Sequence, residues 1–167
     1  MEIITESQAR FVTFQFIKQY FQFEKKFILD YNSVDDRDRL GSLQASANYF
    51  SVSRTFPKKF DPSEAKHDRL MPVLQILDRI REDKPCNDIV SLVENTEKSL
   101  SSKYGDKSVL SATTKFLWLK GYFNVRVFDS QAKKALGFKQ NYKSYDGFVK
   151  QWNEHFKQNK FIIEKVV

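Results

Sequence analysis

Between Gln8 and Tyr31 the chain carries Phe at 11, 14, 16, 21, 23 and 27, with neither Gly nor Pro to interrupt the pattern. Apolar positions recur at helical spacing on more than one side, which predicts a long core helix covered by several others. Ser33 opens the sequence SVDD, a capping residue followed by early acids, and predicts a second helix from Asp35 to about Phe50. The stretch SRTFPKKFDPSEAKHDRL is polar and twice broken by proline, so it reads as a connection with at most short helices. Pro72 then suits the first turn of a helix carrying Val73, Leu74, Ile76, Leu77 and Ile80.

Pro85 and Asn87 open an amphipathic helix through Val90, Val93 and Leu100 that stops at Gly105, a natural C-cap. From Ser108 to Lys120 the apolar residues at 109, 112, 116 and 119 share one helix face, and Gly121 ends the segment. Asp129 or Ser130 caps a short helix to Gly137, and Ser144 opens a last helix through Phe148, Trp152, Phe156 and Ile162. With 167 residues, 41% of them hydrophobic, and only 5 Gly and 4 Pro, the chain has room for one core and little demand for tight turns. The expected fold is all-α, a single orthogonal helical domain of about seven helices over residues 1–167.

The one cysteine, Cys86, excludes an internal disulfide, and with His67 and His155 so far apart it supplies neither a zinc site nor an iron–sulfur cluster. No metal or cofactor is therefore expected, and both histidines read as surface or interface residues. Asp35, Asp36 and Asp38 alternate with Arg37 and Arg39, which reads as a charged helix start in preference to a metal site. MEIITESQAR lacks the basic start and apolar segment of a signal peptide, and no apolar run is long enough for a membrane span. The expectation is a soluble, cytoplasmic protein without a membrane partner.

Charge sharpens the functional picture, because the net +7 of the chain sits in one place. Nine basic residues between Lys103 and Lys143 (Lys103, Lys107, Lys115, Lys120, Arg126, Lys133, Lys134, Lys139 and Lys143) face only Asp106 and Asp129, so this segment alone nets +7. Such a concentration is the electrostatic footprint of a surface that meets phosphates. A solvated lysine-rich face is the alternative reading of charge alone.

Within that segment, TKFLWLKGYFNVRVFDSQAKKAL reads as a helix ending in Gly-Tyr, a short apolar run, and an aspartate before another helix. This order resembles the second half of the active-site motif of helix-hairpin-helix DNA glycosylases, nearest to the prokaryotic 8-oxoguanine DNA glycosylase branch. The resemblance covers about thirty residues, Gly105 to Leu136. It implies that Asp129 faces the deoxyribose of an extruded nucleotide. The chemistry supports an aspartate there: breaking an N-glycosidic bond builds positive charge on the sugar, which a fixed carboxylate stabilises while it aligns or deprotonates water. Flipping the base requires a pocket whose aromatic faces offset lost stacking, and Trp118, Tyr122, Phe123 and Phe128 are the candidates, with core packing as the competing reading of each.

Two departures from the family pattern shape the expected activity. In members with lyase activity a nucleophilic lysine follows a glycine-rich hairpin, at a register that falls here on Ser111, and the hairpin position reads KSVLS without glycine. A serine in that register is the monofunctional arrangement, in which water replaces the lysine amine, so base excision without strand cleavage is expected. Lys115 lies one helical turn after Ser111 on the same face. Burial among Phe116, Trp118 and Asp129 would lower its pKa toward a nucleophilic role; a phosphate contact or an ion pair with Asp129 are the alternatives. Asp129 before Ser-Gln-Ala-Lys-Lys is also a good N-cap, a role compatible with catalysis because a capping carboxylate is rigidly held. Lys107, Lys120, Arg126, Lys133, Lys134, Lys139 and Lys143 then suit phosphates of a DNA duplex. The expected function is a DNA glycosylase acting on a damaged or modified base, in repair or against phage DNA. A DNA-binding or protein-interaction module that keeps such helices without chemistry is the alternative.

Overall fold

The computed structural model describes residues 3–56, 69–80, 88–138 and 144–166. Among them the protein is all-α, with seven helices and no strand. α1 (Glu6–Gln19) runs through a π-helical turn (Tyr20–Glu24) into α2 (Lys25–Tyr31) as one unbroken helix. There follow α3 (Asp36–Tyr49), a 3-10 turn (Ser53–Thr55), α4 (Met71–Asp78), α5 (Ile89–Lys103), α6 (Leu110–Leu119), α7 (Ser130–Ala135) and α8 (Tyr145–Val166). No helix among the described residues is long and apolar enough to cross a membrane. Pro85 and Asn87, expected to open α5, lie outside the described residues, as do Cys86 and His67.

The helix ends follow local chemistry. At α1 a capping box closes, with the Gln8 amide donating to Thr5 Oγ1 at 3.2 Å and the Thr5 amide to Gln8 Oε1 at 2.8 Å. The cap of α3 is Asp35, whose Oδ1 accepts from the Arg37 amide at 2.7 Å, and Ser33 stands outside the helix with its hydroxyl bonded to Asp38. α6 ends in a Schellman motif: Gly121, at φ 106, sends its amide to the Trp118 carbonyl and Tyr122 sends its own to Leu117, both at 3.0 Å. That conformation is open to glycine at little cost, which is why the residue ends the helix.

The chain divides into two compact units, one of residues 1–26 and 129–167, the other of Phe27–Phe128. In the second, α3 packs on α4, α4 on α5 and α5 on α6. Leu43, Leu70, Val73, Leu77, Leu117 and Leu119 are completely buried there. Phe56 sets its ring edge-on to Tyr104, centroids 4.8 Å apart, and the Tyr104 hydroxyl donates to the Arg69 carbonyl at 2.7 Å. Arg39 ties α3 to α4 through Asp78 and lies over the Tyr31 ring, 5.3 Å from its centroid. The Asp78 carboxylate holds the Arg39 guanidinium above its usual basicity.

In the other unit α1 packs on α8. The Ile4 amide donates to Oδ1 of the buried Asn159 at 2.9 Å, and Lys165 pairs with Glu6 at 2.6 Å. Lys165 first, then Arg10, hold the Glu6 carboxyl below the ordinary glutamate value. Tyr145 and Phe148 form the apolar centre, with Phe138 edge-on to Phe148 at 5.7 Å.

The expectation that α1 is covered on several sides fails. Ala9 is its one buried residue, and Phe11, Phe14 and Phe21 are each 64% exposed. Periodicity identified the helix, but an apolar residue on a helix face is buried only when another element arrives to cover it.

Glu24, in the π turn, is buried, and burial raises its carboxyl above the ordinary glutamate value. A carboxyl whose folded pKa is raised binds protons more tightly in the native state, so its contribution falls as pH rises through the interval between the unfolded and folded values. Glu24→Gln should therefore stabilise the protein at neutral pH, and the gain should shrink as pH is lowered toward about 4.3, the unfolded glutamate value. Paired urea titrations of wild type and variant across this range measure it.

Candidate functional site

α6 carries the site because it is the most deeply buried helix of its unit. Of its residues only Ser111 and Trp118 escape burial, and both are half-buried. Its polar side chains must then find partners inside the protein. Just ahead of the helix Glu97 of α5 takes up a main-chain donor, its Oε1 accepting from the Val109 amide at 3.1 Å. Thr113 donates its hydroxyl to the Val109 carbonyl at 3.1 Å within the helix.

Thr114 does more. Its hydroxyl donates to the Ser111 carbonyl at 3.1 Å and accepts from the Phe128 amide at 3.1 Å. The segment that follows the Schellman turn is thus fastened back to the helix at its last residue, and Phe128 is buried as a consequence. Asp129 comes next in the chain, with an extended backbone at φ −136 and ψ 176. Its Oδ1 accepts from the Ala132 amide at 2.8 Å, which makes it the N-cap of α7. α7 ends as α6 does, with the Phe138 amide reaching the Lys133 carbonyl at 2.8 Å past Gly137.

Ser111 and Lys115 are brought together as their spacing predicts. Lys115 is only 6% exposed, and its amine donates to Ser111 Oγ at 3.3 Å and to the Phe50 carbonyl at 3.4 Å. The same amine sits 5.7 Å from the centre of the Phe50 ring. Enclosed in this way, the amine is withdrawn from any phosphate at the surface. Asp129 belongs to the other compact unit.

The four aromatic candidates separate by environment. Phe128 is part of the core, Trp118 and Tyr122 are half-buried, and Phe123 is 57% exposed. Trp118 and Phe123 meet edge to face with centroids 5.5 Å apart. Of the basic candidates, Lys107 and Lys134 are exposed, while Lys120, Arg126 and Lys133 are half-buried. Arg126 donates to the Asn124 carbonyl at 3.2 Å. Lys139 and Lys143 lie outside the described residues. Among the described residues no three His, Cys, Asp or Glu side chains gather as metal ligands. Asp36 pairs with Arg39 at 3.0 Å, in keeping with a charged helix start.

Two participants carried no signal of their own in the sequence. Thr114 is one of two adjacent threonines, and nothing in their spacing tells which bonds outside its helix. Phe50, which holds the lysine, is distant in the chain and enters only through packing. Comparison with protein-family models, with curated proteins and with solved structures finds no match to the chain.

Replacing Thr114 by the near-isosteric Val should leave the buried Phe128 amide without its acceptor, at a cost of about 1–3 kcal/mol. Thr113→Val, which removes a bond within one helix, should cost less than about 1 kcal/mol. Chemical denaturation of the two variants side by side distinguishes them.

Proposed function

We propose that this protein binds DNA through the basic segment from Lys103 to Lys143 and excises a damaged or modified base by hydrolysis of its N-glycosidic bond. The observation that carries the reading is the concentration of the whole net charge in this one segment. Lys103, Lys107 and Lys134 of that segment are exposed, open to a phosphate backbone. Asp129 serves as the carboxylate that stabilises positive charge on the sugar and aligns water. Within the unit of Phe27–Phe128 the further groups the reading draws on are the hydrogen-bonded Ser111 and Lys115 and the edge-to-face rings of Trp118 and Phe123, aromatic surface of the kind a flipped base requires. In repair or in defence against phage DNA the chemistry is the same.

A second reading, DNA binding without chemistry, draws on the capping bond. The Asp129 carboxylate already has a structural use in accepting from Ala132, and Phe128 already has one in the core. Asp129→Asn separates the two readings cleanly, because asparagine caps helices about as well as aspartate and leaves the fold in place.

Purified protein is incubated with bacterial and phage DNAs carrying natural or modified bases, and the products are heated in alkali. Alkali-labile breaks that fall by about 100-fold or more in Asp129→Asn are the expected result. Unchanged breaks in that variant defeat the role assigned to Asp129, and no breaks with binding intact select the second reading. Strand breaks before alkali would make the Lys115 amine a lyase nucleophile.

Binding has its own test. Affinity should fall steeply with salt, and Lys107→Gln with Lys134→Gln should reduce the slope of log K against log salt by about 1 for each lysine lost. Salt-independent affinity would point to a protein-interaction module.

A further inference from the structure

Between Asp106 and Asp129 the chain carries Lys107, Lys115, Lys120 and Arg126 and not one Asp or Glu. Lys115 is enclosed, while Lys107 is exposed and Lys120 and Arg126 are half-buried, so every charge this stretch presents to water is positive. The turn after α6 places an aromatic ring between the last two of these cations in the chain. Past the Schellman motif the Phe123 amide donates to the Gly121 carbonyl at 2.9 Å, and the amide of the buried Val125 to the Tyr122 carbonyl at 3.0 Å. Phe123 is 57% exposed although its backbone is held on both sides, and the edge-to-face contact with Trp118 orients its ring. A lone exposed phenylalanine needs no explanation on a monomer. One oriented by a second ring, on a turn bracketed by cations and without a carboxylate, has the composition of a site for an anionic chain that carries flat apolar faces.

We propose that the turn of residues 120–126 binds unpaired nucleotides, with a base stacked on the Phe123 ring, so that single-stranded DNA is the preferred substrate; this rests on the DNA-binding reading above and adds to it the state of the strand. In a duplex each base has both faces covered by its neighbours, and exposing one costs stacking and pairing that an unpaired strand does not demand. Stacking on a ring requires only an open base face, whatever the base. Cations make no such distinction in favour of the single strand. They contact phosphates in both forms, and the duplex carries the denser charge, so lysines and arginines acting alone bind it at least as well. A preference for the single strand therefore has to come from the ring.

Fluorescence anisotropy at one fixed salt concentration compares a thymidine oligonucleotide of about 20 nucleotides, longer than a usual single-strand site, with the duplex of the same length. The single strand should bind more tightly by about tenfold or more. Phe123→Leu keeps an apolar side chain and removes the aromatic face; it should lower single-strand affinity by about tenfold and leave duplex affinity within about twofold, and Phe123→Trp should restore the loss. Lys107→Gln should weaken both forms alike and leave their ratio unchanged. A duplex bound as tightly as the single strand overturns the proposal and leaves the DNA-binding reading standing, whereas a chain that binds neither form overturns both. Single-strand affinity indifferent to Phe123→Leu overturns the proposal as well. Tighter binding of the ribonucleotide strand of the same length overturns the assignment to DNA.

Discussion

The constraint on which the larger unit depends is the burial of α6 together with its polar side chains. A helix that is apolar all round can be packed in many rotations, but one carrying Thr114 and Lys115 in its interior, with partners outside the helix, cannot. Each buried donor has to meet an acceptor, and leaving one unpaired costs more than a typical net hydrogen bond returns. Those demands fix which faces of α6 meet the end of α3 and the returning segment before Asp129, through the Phe50 carbonyl and the Phe128 amide. The geometry of Ser111 and Lys115 is therefore a consequence of how the core is satisfied, and it exists before any ligand arrives.

Electrostatics divides the same segment into an inside and an outside. Lys115 is counted with its neighbours in the charge of the sequence, yet its amine is enclosed while Lys107 and Lys134 are in water. Cations in water act through counterion release and are nearly interchangeable. A cation enclosed beside a hydroxyl and a carbonyl acts through position, and its exact neighbours decide what it does. Under the proposed function a mutation in the first class moves DNA affinity, whereas one in the second disturbs the packing around α6.

Much of the fold was legible because helix ends are written locally. Gly105, Gly121 and Gly137 adopt positive φ after their helices, and Asp129 caps α7, all from signals within a few residues. The misjudged cap at α3 shows the limit of that information: Ser33 and Asp35 are both good caps, and the choice rests on which backbone amide each can reach. Coverage was not legible. The phenylalanines of α1 have the spacing of a core helix, and exposure is a property of what the rest of the chain brings to it. Of the candidate site, the one-turn relation of Ser111 to Lys115 follows from helix geometry, whereas Thr114 and Phe50 enter through contacts between elements.

The stretch before Asp129 also lies where the chain passes between its two compact units, and the two passages differ in kind. One runs through the unbroken helix at Lys26 and Phe27, where every residue continues the backbone geometry of the last. The other falls between Phe128 and Asp129. On one side of that peptide the Phe128 amide is fastened to Thr114, and on the other the Asp129 carboxylate is fastened to the first turn of α7. Asp129 thus takes its local geometry from a capping bond within its own helix and from the bond that ties its neighbour Phe128 to Thr114, fourteen residues earlier. A carboxylate fixed by its own helix is already organised for a developing charge, which is the form of organisation that electrostatic catalysis requires. The same two bonds serve the fold whatever else the carboxylate does, because one closes the first turn of α7 and the other ties the preceding residue to α6.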